Sequence, residues 1–242
     1  MVARYFGEFM GTLVLVLLGD GVVANVLLRK SKAEGAGWMV IATGWSVAVL
    51  AGVVVAVACG SPDAHLNPAV TLAFAVSSGS VVKLLPYIAA QILGAFAGAT
   101  LMWLHFLPHW GLTEDASAKL ACFCTGPAIR TFWSNLLSEV VATFTLVFVI
   151  GSIFSKAVVG NGYSAGIGSM MVAALVWGIG LSLGGPTGYA VNPARDFGPR
   201  LAHFVLPIAG KGTSDWTYAM VPILGPVIGG GLAGVLLRLL SI

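Results

Sequence analysis

Charge is the first thing this sequence lacks: of 242 residues only 12 are Lys or Arg and 9 are Asp or Glu, whereas roughly a quarter of an ordinary soluble domain is charged. A soluble globular class is thereby excluded. Cysteine is scarce too. Cys59, Cys122 and Cys124 are the only three, and two of them stand two residues apart, so there is neither a disulfide framework nor a zinc-ligand set. A formal net charge of +3 is too small to imply a nucleic-acid partner. Also missing is the ~10-residue alternation of apolar and polar stretches that marks an outer-membrane barrel, since Leu13 to Leu18 and Val47 to Ala58 are apolar almost without interruption. What the chain does have is 58% apolar residues and a mean hydropathy of +0.96. Disorder is excluded with that composition, and the lipid bilayer becomes the solvent, its ~30 Å core setting an element length of ~20 residues.

Apolar windows of that length predict membrane-spanning helices near Tyr5–Leu28, Gly37–Cys59, Leu84–Leu107, Phe132–Phe154, Ala165–Gly184 and Trp216–Leu240. The first has no small-residue cleavage site, so it reads as a span and not as a removed signal peptide. Two apolar stretches remain, Asn67–Val76 and Asn192–Phe204. As helices each would be ~15–18 Å long, enough to enter the membrane and too short to cross it. Polar connections fall at Arg29–Ala36, Pro108–Thr131, Ser155–Tyr163 and Ile208–Asp215, with no second domain.

An internal repeat organises these pieces. Glu8-Phe-Met-Gly-Thr12 is matched by Glu139-Val-Val-Ala-Thr143 131 residues later, and Gly94 and Gly98 match Gly225 and Gly229 at the same offset. Asn67-Pro68-Ala69 is matched by Asn192-Pro193-Ala194. Each half, about 1–107 and 132–242, reads span, span, half-helix, span. Three spans per half is odd, so the second half lies inverted, the design of pores and carriers whose interrupted segments mark the solute site. The expected fold is an all-α membrane protein of six transmembrane helices and two re-entrant half-helices in a single channel domain. Charge bias leaves its orientation open. With the N-terminus inside, Arg4, Lys83, Lys156 and Arg238 face six basic residues in the outer loops.

In both half-helices Asn precedes Pro, which suits Asn as N-cap and Pro at the first helical position, where its missing N–H costs nothing. If the half-helices enter from opposite faces, their positive dipole ends meet near the midplane and disfavour cations and protons there. The amides of Asn67 and Asn192 can donate to the oxygen of a passing neutral molecule. Carbonyls of the incoming loops, Gly60–Leu66 and Gly184–Val191, offer acceptors, irregular backbone at this depth being tolerated only where it lines a cavity or is buried in protein.

The doubled motif, His65-Leu-Asn67-Pro68-Ala69-Val-Thr71 and Gly188-Tyr189-Ala-Val-Asn192-Pro193-Ala194-Arg195-Asp196-Phe-Gly-Pro199-Arg200, with Glu8, Gln91 and Glu139 in context, resembles the major intrinsic proteins, the water and glycerol channels, over the whole chain. That resemblance implies one pore per protomer, homotetramers in a cell membrane, and a selectivity filter of Trp45, Gly180, Tyr189 and Arg195. Matching Trp45 requires a two-residue insertion near Ser61–Asp63. Gly180 occupies the position where water-selective members carry His, so a glycine leaves the pore wide. Tyr189 departs from the Phe common in bacterial glycerol facilitators, adding a hydroxyl, and Asp196 after the Arg is typical of the glycerol-conducting branch. Arg195 would hold hydroxyl oxygens, and Trp45 and Tyr189 the carbon edge of a polyol.

The implied partners are glycerol, water, urea or lactic acid, and lipid. Alternatives are a channel of the same family preferring lactic acid or water, and a proton-coupled transporter using Glu8 or Glu139. The resemblance assigns these two carboxylates to supporting the loops, together with His65 and Asp196. Asp20 fits either a solvated helix end or a polar contact inside the bundle. The glycine pairs 94/98 and 225/229 suggest close packing across the pseudo-twofold, and Trp38, Trp103, Trp110 and Trp216 read as interface anchors. No nucleophile–base arrangement, phosphate loop, metal-ligand set or cofactor motif is evident, so neither an enzyme nor a cofactor is expected.

Overall fold

The computed structural model describes residues 2–160, 162–164 and 166–242. Six long helices carry the architecture: α1 (Val2–Leu27), α2 (Trp38–Ala58), α4 (Leu84–His105), α7 (Phe132–Ile153), α9 (Ile167–Leu183) and α11 (Met220–Leu240). Between them lie the two half-helices, α3 (Pro68–Ser78) and α10 (Pro193–Val205), and three short connecting helices, α5 (Leu107–Trp110), α6 (Ala116–Ala121) and α8 (Lys156–Val159), which the sequence reading left as loop. No strand occurs among the described residues. Five of the long helices are apolar over at least 18 residues, and α9, with 17, is marginally shorter, about 26 Å by helical rise. The expected start of this fifth span, Ala165, lies outside the described residues, as does Asn161 in the connection before it.

Both half-helices begin as the sequence predicts. Asn67 caps α3 by accepting from the Ala69 N–H at 2.8 Å, and Asn192 caps α10 by accepting from Ala194 at 3.0 Å and Arg195 at 3.3 Å. Their far ends are closed differently. Gly79, at φ 72°, stops α3 in the left-handed conformation that costs glycine nothing. At α10 the Lys211 ammonium donates to the carbonyls of His203, Phe204 and Leu206 at 2.6–2.7 Å, a cation on the negative end of the helix dipole.

Close helix approach is set by glycine, though not across the pseudo-twofold as the repeat suggested. A Cβ at Gly94 would meet the Phe9 carbonyl oxygen at 2.3 Å and one at Gly98 that of Leu13 at 2.4 Å, so this pair seats α4 on α1 within the first half. Gly225 and Gly229 seat α11 on α7 in the second, against Glu139 Cβ and the Val140 oxygen, both at 2.4 Å. The contacts that do cross between halves use other glycines: Gly230 and Gly234 of α11 lie on Ala69 and Ala73 of α3, and Gly198 of α10 lies on Ala95 and Ile92 of α4. Each half-helix is thus gripped by a long helix of the opposite repeat. Trp110 also departs from expectation. It is 2% exposed and its indole N–H donates to the Trp103 carbonyl at 2.9 Å, so it is a core residue and not an interface anchor.

Gly229→Ala forces a Cβ against the Val140 oxygen and is expected to cost about 1–3 kcal/mol, while Gly231→Ala, inside the same helix with nothing within 4 Å of its Cβ, is expected to leave stability the same or raise it by up to about 1 kcal/mol. Thermal unfolding in detergent, followed by tryptophan fluorescence, checks the pair; equal midpoints for the two variants would contradict the packing described.

Candidate functional site

Two buried carboxylates organise the centre. Glu8 Oε1 accepts from the Ser61 hydroxyl at 2.7 Å and the His65 backbone N–H at 2.9 Å; its Oε2 accepts from the Leu66 N–H and the Gln91 amide, both at 2.8 Å. Glu139 repeats the pattern. Its Oε1 accepts from the Thr187 hydroxyl at 2.6 Å and the Ala190 N–H at 2.9 Å, and its Oε2 from the Val191 N–H at 2.9 Å. Both are fully buried, and charge-assisted bonds of this kind are the strong ones. The loops they hold are strained: Leu66 stands at φ 53° and the β-branched Val191 at φ 44°, conformations that persist only where the surroundings impose them.

Between the loops, each Asn reaches across to the other repeat. The Asn67 side-chain amide donates to the Val191 carbonyl at 2.9 Å, and that of Asn192 to the Leu66 carbonyl at 2.8 Å. In each case the acceptor belongs to the residue just before the opposite Asn. An amide has two N–H donors, so each Asn keeps one for a molecule in the cavity that both line. That cavity, about 690 Å³, is walled by apolar side chains from both halves and also by Trp45, Tyr189 and Arg195.

At one end Arg195 lies over Trp45, its guanidinium carbon 4.2 Å from the ring centroid. Trp45 in turn rests on bare backbone, since a Cβ at Gly19 would come within 2.3 Å of the indole. Arg195 does not pair with Asp196. The Asp196 carboxylate instead takes the Arg200 Nε–H at 2.8 Å and the backbone and hydroxyl of Thr125 at 2.8 and 2.7 Å. Arg200 also donates to the carbonyls of Ser214, Asp215 and Thr125. This fully buried pair pins two loops to α10, and Arg195, which takes no part in it, lines the cavity. On the loop surface, burial pushes the Asp215 carboxyl up, but hydrogen bonds from Arg130 and Thr217 outweigh it and hold the group below the usual carboxylate range.

Gly180 is not an open gap. A Cβ there would fall 2.9 Å from Tyr189 Cζ and 3.0 Å from its hydroxyl oxygen. The tyrosine ring occupies the space that a side chain at 180 would fill. His65 stacks on Phe74 at 5.3 Å, and its Nδ1 lies 3.2 Å from the Thr71 hydroxyl, so it braces the first loop. In the inserted segment, Asp63 accepts from Lys83 at 2.7 Å and from the Tyr87 hydroxyl at 2.6 Å, tying that loop to α4. Asp20 lies inside the bundle, 1% exposed, with Oδ2 lacking a partner. Among the described residues no group of three or more His, Cys, Asp or Glu is placed to hold a metal ion.

The sequence reading gave no role to Gly19, Thr125, Ser61 or Thr187, and quoted Arg200 only as part of the second motif. Only the hydroxyl pair carried a readable signal, as Ser61 and Thr187 each precede an Asn-Pro step by five or six residues. Replacing Glu139 by Gln points an NH₂ at donors that need an acceptor and is expected to destabilise the fold by about 3 kcal/mol or more. An unchanged thermal midpoint in detergent would show that Glu139 does not hold its loop.

Comparison with known proteins identifies relatives of the chain. A family model described as Major intrinsic protein matches residues 1–237. The chain is 53% identical over 227 residues to a probable glycerol uptake facilitator protein of Thermotoga maritima, covering 93% of this chain and 94% of the relative. It is 53% identical over 238 residues to glycerol uptake facilitator protein 3 of Lactiplantibacillus plantarum, covering 98% and 96%. Among solved structures it is similar to the aquaglyceroporin from Plasmodium falciparum, with a TM-score of 0.84 at 27% identity over 98% of this chain and 95% of the other.

Proposed function

The chain belongs to the major intrinsic protein family, and from that membership we propose that it is a passive channel of the cell membrane, conducting glycerol and other small neutral solutes with some water. The observation that carries this reading is the corner at Arg195. Its guanidinium lies on Trp45, and Tyr189 lines the same cavity. A polyol has hydroxyls along one edge and C–H groups along the other. In this slot the Arg195 donors take the hydroxyls, and the Trp45 and Tyr189 rings take the carbons. Deeper in, Asn67 and Asn192 offer one N–H each. Pro68, Ala69, Pro193 and Ala194 build the first turns behind them. The two half-helix N-termini, each equivalent to roughly half a positive charge, repel cations at the level where a solute is stripped of water, and an ion there would lose its hydration without compensation.

Transport through this path is a movement and not a covalent reaction. The proton-coupled reading is disfavoured by the hydrogen bonds themselves. Both oxygens of Glu8 and Glu139 are occupied by fixed loop donors, which supports the role of loop holders beside His65 and Asp196. Assembly as a homotetramer with one pore per protomer, a single channel domain spanning residues 1–242, and passage of urea or neutral lactic acid belong to the same proposal.

In proteoliposomes examined by stopped-flow light scattering, glycerol permeability is expected to exceed that of empty vesicles; equality would overturn the glycerol assignment. A parallel panel of water, urea and lactic acid ranks the solutes, and lactic acid flux is expected to rise as the pH falls toward its carboxylic pKa. Gly180→His drives a side chain into Tyr189 and tilts that ring into the slot. Glycerol flux is expected to fall about tenfold, equivalent to ~1.4 kcal/mol of added barrier, and water flux much less. Equal losses for both solutes would place residue 180 away from the constriction.

A further inference from the structure

We infer that Trp38 is a positioning residue that sets the size cut-off of the channel by holding Tyr189 in place. The inference rests on the channel reading above.

Trp38 begins α2, and by sequence position it looks like an anchor at the membrane interface. It is 40% exposed and takes no part in lining the cavity. Its inner side, however, makes three contacts with one small region. The indole N–H donates to the Gly180 carbonyl at 3.0 Å. The ring meets Tyr189 edge to face, with centroids 5.7 Å apart and planes at 81°. Its Cζ2 lies 2.7 Å from where a Cβ at Gly184 would sit. Indole and phenol therefore share a hollow that exists only because residues 180 and 184 lack side chains.

Tyr189 needs such a support. It sits at φ 39°, in the left-handed region, and no described protein group hydrogen-bonds its hydroxyl. Among the described residues no protein hydrogen bond fixes the ring. Glu139 holds the backbone of the next two residues but not the side chain. The ring position is left to packing, with the two glycines beneath it and Trp38 at its edge. Because Tyr189 lines the cavity that Arg195 also lines, a ring that swings free changes the widest solute that fits. Trp38 thereby acts on selectivity without touching the solute, tying α2, α9 and the second re-entrant loop together at that point.

The test compares wild type, Trp38→Phe and Trp38→Ala in proteoliposomes, measuring water, glycerol and the longer polyol erythritol in each preparation. With Tyr189 released, the erythritol-to-glycerol permeability ratio is expected to rise about threefold or more in Trp38→Ala, the scale of one lost aromatic contact in a rate. Trp38→Phe keeps a ring and loses the N–H, and its ratio is expected between the two. A purely structural role would lower all fluxes together, and a ratio unchanged or reduced in both variants overturns the inference. Where Trp38→Ala does not assemble, Trp38→Phe decides by the same ratio. Failure of wild type to pass glycerol faster than empty vesicles would sink the channel reading itself, a result distinguishable from wild-type flux with an unaltered ratio in the variants.

Discussion

Backbone N–H and C=O groups placed at membrane depth without water must find partners within the protein, and everything at the centre of this molecule depends on how that requirement is met. The six long helices meet it internally. The loops that lead into α3 and α10 cannot, because they run extended or left-handed through the middle of the bundle. Two carboxylates answer for them. Glu8 and Glu139 each stand on the first long helix of a half and accept N–H groups from the loop of the same half. A neutral side chain in that position would offer fewer acceptors and weaker bonds, which accounts for a charge in a chain that has so few.

Once the loops are fixed, the rest is constrained in sequence. The left-handed turns at Leu66 and Val191 present their carbonyls to the opposite Asn, and the reciprocal bonds from Asn67 and Asn192 lock the two half-helix ends together. With α10 so placed, the Asp196–Arg200 pair absorbs the neighbouring carboxylate. Arg195 is left free to lie on Trp45, whose own position follows from the missing side chain at Gly19. The proposed filter is therefore a consequence of backbone accounting a helix away.

Much of this was readable from residues alone, for physical reasons. Span positions follow from hydropathy because lipid imposes length and apolarity directly, and observed helix ends fall within a few residues of those expected. The starts of α3 and α10 were legible because an Asn-Pro step encodes its own cap. Glu8 and Glu139 stood out as repeated charges in apolar runs. Less legible was anything set by who lies next to whom. The glycine pairs were recognised as contact points, yet their partners, α1 and α7 in the same half, were not. Gly180 was read as empty space, whereas Tyr189 fills it, because sequence shows a missing side chain but not the neighbour that takes its place. Asp20 was left between two readings, and burial settles it on the inside of the bundle.

The exchange of half-helices between repeats bears on how the protein is made. α3 belongs to the first half, but the surface that receives it, Gly230 and Gly234, lies in α11, which is synthesised about 150 residues after it. While the chain is still being inserted, the Asn67 amide has no Val191 carbonyl to meet and α3 has no groove to occupy. The first three long helices can pack by themselves through Gly11, Gly52, Gly94 and Gly98, yet the path cannot close around its axis until α11 is in the bilayer. Insertion thus has a built-in order: until α10 and α11 are in place, the seat of α3 and the acceptor of Asn67 are both missing.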